Sequence, residues 1–266
     1  MTELVFLKLG GSLITDKTTP YTIRPDKLAR LVDEIHAVQT RTRNLRLVLG
    51  HGAGSFGHTA ANLYGTRNGV HNAKEWRGFA EVRFQAGTLN HFVMQALHKA
   101  NIPAMSIQPS AGAIAHDAKV LTWDAAPILK ALSNGILPVV YGDTIFDELR
   151  GGTILSTEDL FEYLAHQLAP ARILLAGLEA GVWSDFPARQ QMVGKVTPKT
   201  YEAIAGKVGG AHGADVTGGM KSKVEQMLRL VGKFPQMTVQ IFSGEEAGNL
   251  EKVLQGRQLG TLIASD

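Results

Sequence analysis

A chain of 266 residues, 44% hydrophobic and 19% charged, has the balance of a globular protein that can bury a sizeable core, not that of a disordered or fibrous one. The absence of cysteine removes disulfides, thiolate metal sites and cysteine nucleophiles together. A formal net charge of +3, dispersed rather than gathered into runs, argues against nucleic acid as a partner and favours anionic small molecules.

From the N-terminus, residues 4–9 read as a buried strand, and the apolar run at 4–7 within them is too short for a signal-peptide core. No later stretch reaches the roughly 20 apolar residues of a membrane span, so a soluble, cytoplasmic protein is expected. Residues 25–38 place Leu28, Leu31, Val32, Ile35 and Val38 on one helical face, with Pro25 suited to a first turn. A second strand at 45–49 completes a β-α-β unit. A long helix at 73–100 is stopped by Asn101 and Pro103. Strands are then expected at 102–107, 136–141, 173–176 and 239–242, and helices at 125–133, 157–168, 220–234 and 249–254. This alternation argues for an α/β fold whose mainly parallel sheet is covered on both faces, a three-layer αβα sandwich. With no repeat and no long linker, residues 1–266 read as one domain with a soft lobe boundary near 170–180.

Three segments carry candidate chemistry. The first strand runs into Lys8-Leu9-Gly10-Gly11-Ser12, and Lys17 follows. Paired glycines let backbone N–H groups approach an anion, and a lysine at a strand end adds a full charge beside them. No Walker A loop is present, and a lone Gly-Gly after a strand is more often a plain turn. The second strand ends in Gly50-His51-Gly52-Ala53-Gly54-Ser55-Phe56-Gly57-His58, too dense in glycine for a simple turn. Gly52 to Gly57 also satisfies the dinucleotide fingerprint. The following strand, however, comes far too late for a Rossmann unit, and the nearest acid at the required offset, Glu75, falls in a helix. The third segment, Asp215-Val216-Thr217-Gly218-Gly219-Met220-Lys221-Ser222-Lys223, opens an amphipathic helix with glycine and two lysines, a combination that favours anions.

In this order the three segments resemble the amino acid kinase superfamily, and within it the isopentenyl phosphate kinases. The resemblance covers nearly the whole chain, and Tyr141-Gly142-Asp143 with the run from Gly151 to Asp159 falls in that family's central region for acceptor and magnesium. It implies ATP with magnesium, isopentenyl phosphate as acceptor, and a homodimer. By similarity, Lys8, Gly10, Gly11, Ser12, Gly54, Gly219 and Lys223 would bind ATP, and Lys17 would stabilise the transferring phosphoryl group. Ala53, Gly57, His58 and Thr157 would meet the acceptor, with His58 on its phosphate. The N-terminal lobe would bind acceptor and the C-terminal lobe nucleotide. Two positions depart from the family pattern: residues 177–182 read Gly-Leu-Glu-Ala-Gly-Val where T-D-V-D-G-V is usual, and Thr157 stands where glycine is usual.

The implied chemistry agrees with what the chain lacks. A phosphate nucleophile is already ionised near neutral pH, so cations and aimed N–H groups are needed rather than a general base. His51 reads as a structural histidine, and Trp76, Phe79 and Val82 read as core more readily than as an acceptor slot. The nearest rivals are a phosphonate kinase of the fosfomycin type and, outside enzymes, a nucleotide-binding regulator or storage protein. Kinases for carboxylate acceptors rank lower, because a histidine at the Gly57-His58 step is not expected of them.

Overall fold

In the computed structural model, which describes residues 3–42, 45–206, 208 and 219–266, the chain alternates strands and helices from its first element. Asp215, Val216, Thr217 and Gly218 of the third segment lie outside the described residues. The order begins with β1 (Glu3–Leu9), α1 (Gly11–Ile14), α2 (Pro25–Arg41), β2 (Leu45–His51), α3 (Gly54–Tyr64), α4 (Ala73–Lys99) and β3 (Ala104–Ser106). The middle supplies β4 (Ile114–His116), β5 (Lys119–Thr122), α5 (Ala126–Ser133), β6 (Leu137–Tyr141), β7 (Asp143–Asp147), β8 (Gly151–Leu155) and α6 (Thr157–Leu168). It continues through β9 (Arg172–Gly177), β10 (Val182–Trp183), β11 (Met192–Val193), β12 (Lys195–Val196) and α7 (Pro198–Tyr201). The last elements are α8 (Gly219–Lys233), β13 (Thr238–Ser243), α9 (Asn249–Leu254) and β14 (Thr261–Ile263).

The main sheet has the order β12-β14-β13-β9-β1-β2-β6-β3. Its six strands from β13 to β3 are parallel, while β14 pairs antiparallel with β13. Both faces are apolar because both are covered. Val5, Leu7 and Leu9 of β1 share one core with Leu31 of α2, Leu89 of α4 and Val253 of α9. Phe6, Val48, Ile173 and Val239 share the other with Phe161 of α6 and Val224 of α8. The Phe6 and Phe161 rings meet at 5.0 Å between centroids. Each such buried side chain contributes about 1.5–3 kcal/mol relative to exposure, so the alternation along β1 commits it to the centre of the sandwich.

The helices begin where the local chemistry says they should. Pro25 opens α2, the Asn72 side chain accepts from the Glu75 N–H at the start of α4, and Ser156 with Asp159 forms a capping box on α6. One part of the architecture departs from the expected pattern. A second, four-stranded sheet, β5-β4-β7-β8, lies beside the main one. Its strands are short and rich in polar residues and glycine, so they lack the apolar runs by which the main strands are recognised. Residues 54–58 open α3. Among the described residues no helix is long and apolar enough to cross a membrane.

Candidate active site

Strand β1 lies between β2 and β9, where the connections leave in opposite directions, and a crevice opens at the carboxyl ends of these parallel strands, the usual place for a ligand in an open α/β sheet. The cavity measures about 480 Å³. Lys8 and Gly10 come from the end of β1, Gly52 from the end of β2, and Ala176 and Gly177 from the end of β9. Three helices, α3, α6 and α8, start against it with Gly54, Thr157 and Gly219, and α1 adds Gly11 and Ser12. The first-turn N–H groups of a helix have no helical acceptor, and the aligned peptide dipoles put partial positive charge there. The cavity is therefore shaped for phosphates before any lysine is counted.

Two glycine segments meet inside it. A Cβ on Gly11 would lie 2.2 Å from the Gly54 nitrogen and 2.5 Å from its Cα, and Gly54 itself has φ of +51°. Thr15 locks the contact: its Oγ1 donates to the Gly11 carbonyl at 2.8 Å and accepts from the Ser55 N–H at 3.0 Å. Gly11→Ala should force these backbones apart, costing about 1–3 kcal/mol of stability. Thermal melting reads the effect, and a variant that melts like the parent would contradict the contact.

Charge is arranged with equal specificity. The Lys8 ammonium forms an ion pair with Glu158, and Lys223 approaches the other oxygen of that carboxylate at 3.4 Å. The side chains of Lys8 and Glu158 are 12% and 6% exposed, so the pair is nearly out of water. Burial acts to push the Glu158 carboxyl up, but Lys8 and Lys223 outweigh it and hold it down at about 2. Burial lowers Lys8, opposed by Glu158. Glu158 thus sets the position of two lysines at the centre of the cavity, and sequence reasoning did not single it out. A helix was expected at residues 157–168, but nothing local signals a lysine 150 positions away.

The predicted site residues Lys8, Gly10, Gly11, Ser12, Lys17, Ala53, Gly54, Gly57, His58, Thr157, Gly219 and Lys223 all line this one cavity. Lys17 stands exposed on the loop after α1, and among the described residues no hydrogen bond or ion pair holds its ammonium. Lys221 does not line the cavity, whereas Lys223 does. His58 lies in the first half of α3 beside Ala61, and Ala61, Val82 and Ile154 form an apolar slot there. Trp76 and Phe79 pack on each other and on Phe146, at 5.3 and 5.2–5.9 Å, away from the lining.

One expected contact needs correction. The Thr157 hydroxyl donates to the His51 carbonyl at 2.6 Å and is fully buried, so it is spent on the scaffold and not offered to an acceptor phosphate. Thr157 reaches the cavity as the opening residue of α6. His51 is structural, as expected: it is buried, stacks on Tyr141 at 5.3 Å, contacts Asn90 at 3.2 Å, and burial lowers its pKa to about 4.

The end of the cavity opposite the slot is walled by Leu178, Glu179, Trp183, Phe186, Arg189 and Met220. Glu179, in the segment that departs from the family pattern, accepts from Trp183 Nε1 at 2.9 Å and from Arg189 Nη2 at 2.8 Å.

Residues 3–243 match the amino acid kinase family. The isopentenyl phosphate kinase of Methanocaldococcus jannaschii is 32% identical over 269 residues, with 98% of each chain covered. That of Haloferax volcanii is 36% identical over 233 residues, covering 86% of this chain and 88% of its own. A solved structure described as an isopentenyl phosphate kinase superposes with a TM-score of 0.83 at 30% identity, covering 98% of this chain and all of the other.

Proposed function

Because the chain belongs to the amino acid kinase family, we propose that it transfers the γ-phosphoryl group of ATP to isopentenyl phosphate, giving isopentenyl diphosphate. The observation that carries this reading is the pairing, in one cavity, of a cationic phosphate cradle with an apolar slot beside His58. The relatives that bear the same activity in their names support it.

In this reading Lys8, Gly10, Gly11, Ser12, Gly54, Gly219 and Lys223 hold the ATP phosphates. Ala53, Gly57 and His58 hold the acceptor phosphate, and Ala61, Val82 and Ile154 take its hydrocarbon tail. The lobe before residues 170–180 would then hold the acceptor and most of the phosphate cradle, and the lobe after them would complete the nucleotide site with Gly219 and Lys223. The acceptor oxygen attacks the γ-phosphorus in line as the bond to the β-phosphate oxygen breaks, and Lys17 meets the charge on the moving group. The second ionisation of a phosphate monoester lies near pH 6, so no side chain has to remove a proton.

Magnesium fits this site as a companion of the nucleotide. Both carboxylates of the described lining are already engaged, Glu158 by two lysines and Glu179 by Arg189 and Trp183. The ion would be held chiefly by phosphate oxygens, as Mg²⁺ commonly is, and would neutralise part of their charge. A cytoplasmic homodimer completes the proposal, and light scattering that returned the mass of one chain would remove the dimer.

ADP release measured with isopentenyl phosphate, dimethylallyl phosphate, fosfomycin and acetylglutamate tests the acceptor. Release with fosfomycin alone would transfer the assignment to a phosphonate kinase, and ATP binding without release would favour a regulator. His58→Ala should raise the KM for isopentenyl phosphate by about ten-fold or more and lower kcat, with the KM for ATP within about two-fold. Unchanged acceptor kinetics would remove His58 from the site.

A further inference from the structure

Residues 178–193 form a strap over the end of the cavity away from His58. It leaves the end of β9 and turns through the β10–β11 hairpin, in which Val182 pairs with Val193 and Trp183 with Met192. The Asp185 carboxylate closes the turn by accepting from the N–H groups of Gln190 at 2.9 Å and Gln191 at 3.1 Å. Arg189 sits within that turn at φ of +55°, a left-handed conformation that a non-glycine residue keeps only where its surroundings impose it.

Those surroundings aim its guanidinium. Nε and Nη2 donate to the two oxygens of Glu179 at 3.1 and 2.8 Å, and the guanidinium carbon stands 5.1 Å from the centre of the Phe186 ring. Trp183 Nε1 also donates to Glu179, so the carboxylate is fixed from two sides. An arginine has five N–H donors, and among the described residues three of these remain. If the triphosphate lies against Lys8 and Lys223, the nucleoside has to extend toward Leu178, Trp183, Phe186 and Met220, whose apolar and aromatic surfaces suit a nucleobase. Arg189 is the cationic side chain of the described lining at that end.

We propose that Arg189 is a nucleotide-binding residue of this chain, and that Glu179 is the positioning residue that orients it. The assignment rests on the kinase reading above and gives the unusual acid at 179 a purpose. A bare carboxylate at that place would repel a polyanion, whereas one paired with Arg189 carries no net charge and holds the guanidinium as a fork. Arg189 uses its remaining N–H groups on the nucleoside of ATP.

The test is steady-state kinetics with ATP and isopentenyl phosphate, paired with calorimetric titration of a non-hydrolysable ATP analogue in the absence of acceptor. Arg189→Ala should raise the KM for ATP and the analogue Kd by about ten-fold, leaving kcat and the acceptor KM within about two-fold. Arg189→Lys should not restore affinity, because an ammonium lacks the planar fork that holds both Glu179 oxygens and still presents further N–H groups in a fixed direction. Glu179→Gln should weaken ATP by about three-fold, and the double variant should be no weaker than Arg189→Ala, since Glu179 acts through Arg189. An analogue Kd for Arg189→Ala within two-fold of the parent overturns the proposal, as does full rescue by lysine or an additive double variant. A protein that binds the analogue but releases no ADP with isopentenyl phosphate would refute the acceptor assignment and leave the Arg189 result decisive on its own terms.

Discussion

Lys17→Ala should lower kcat by about 10²–10³-fold while the KM values for ATP and isopentenyl phosphate stay within about three-fold of the parent. The expectation follows from where the lysine is. Lys8 and Lys223 are both tied to Glu158, so their charges are partly compensated before any ligand arrives. Lys17 is exposed at the cavity edge on a loop held by a Thr15–Ile23 bridge, and among the described residues its charge is not committed to such a pair. A flexible cation of this kind gains most when negative charge spreads over the equatorial oxygens of the moving phosphoryl group, and little from either ground state. Single-turnover measurements at saturating ATP isolate that step. A large rise in the KM for ATP with kcat preserved would make Lys17 a ground-state binding residue instead.

Glu158→Gln should divide activity from nucleotide binding in the opposite sense to a simple loss of the site. Removing the carboxylate charge leaves the buried Lys8 ammonium without its counter-charge and with Lys223 still nearby, so the unliganded protein should lose about 3 kcal/mol of stability. At this chain length that corresponds to a fall of about 6–12 °C in Tm. ATP supplies the missing negative charge, so it should raise the Tm of the variant by more than that of the parent. The lysines no longer share a fixed anchor, and kcat should fall by about 10²-fold while the KM for ATP holds or decreases. The pH dependence has a definite sign. The folded carboxyl titrates at about 2, below its ordinary value of 4.5, so its contribution is complete above that value and is lost as the pH falls toward 2. Glu158→Gln should flatten this part of the acid-stability curve. A variant as stable as the parent at neutral pH, with the same gain from ATP, would show that the buried pair is not the anchor described.

The main sheet was legible in the residues because its strands are apolar on both faces. Leu4 to Leu7 and Ile173 to Ala176 have the unbroken character that two covering layers of helix demand, and they lie in β1 and β9. Helix α6 was expected at residues 157–168 and occupies those residues, because the Ser156–Asp159 capping box and the Leu160–Phe161–Leu164 stripe agree. The sheet β5-β4-β7-β8 was not legible. Asp143 to Asp147 and Gly151 to Leu155 become strands by pairing with each other, and a partner strand is not a property of either segment alone.

The site divides along the same line. Sequence alone singled out Lys8, the glycines after β1 and β2 and Lys223 as candidates for phosphate binding, because glycine beside cation is a local pattern with a local cause, and the resemblance added His58; all of them line one cavity. Only the tertiary structure decided what those groups do to one another. Gly11 excludes a side chain because Gly54 presses on it, the Thr157 hydroxyl is consumed by the His51 carbonyl, and Glu158 spans Lys8 and Lys223. Charge compensation and steric contact act across space at a few ångströms, and the folded sheet brings together residues as much as 150 positions apart, so these pairings arise only once the chain has closed on itself.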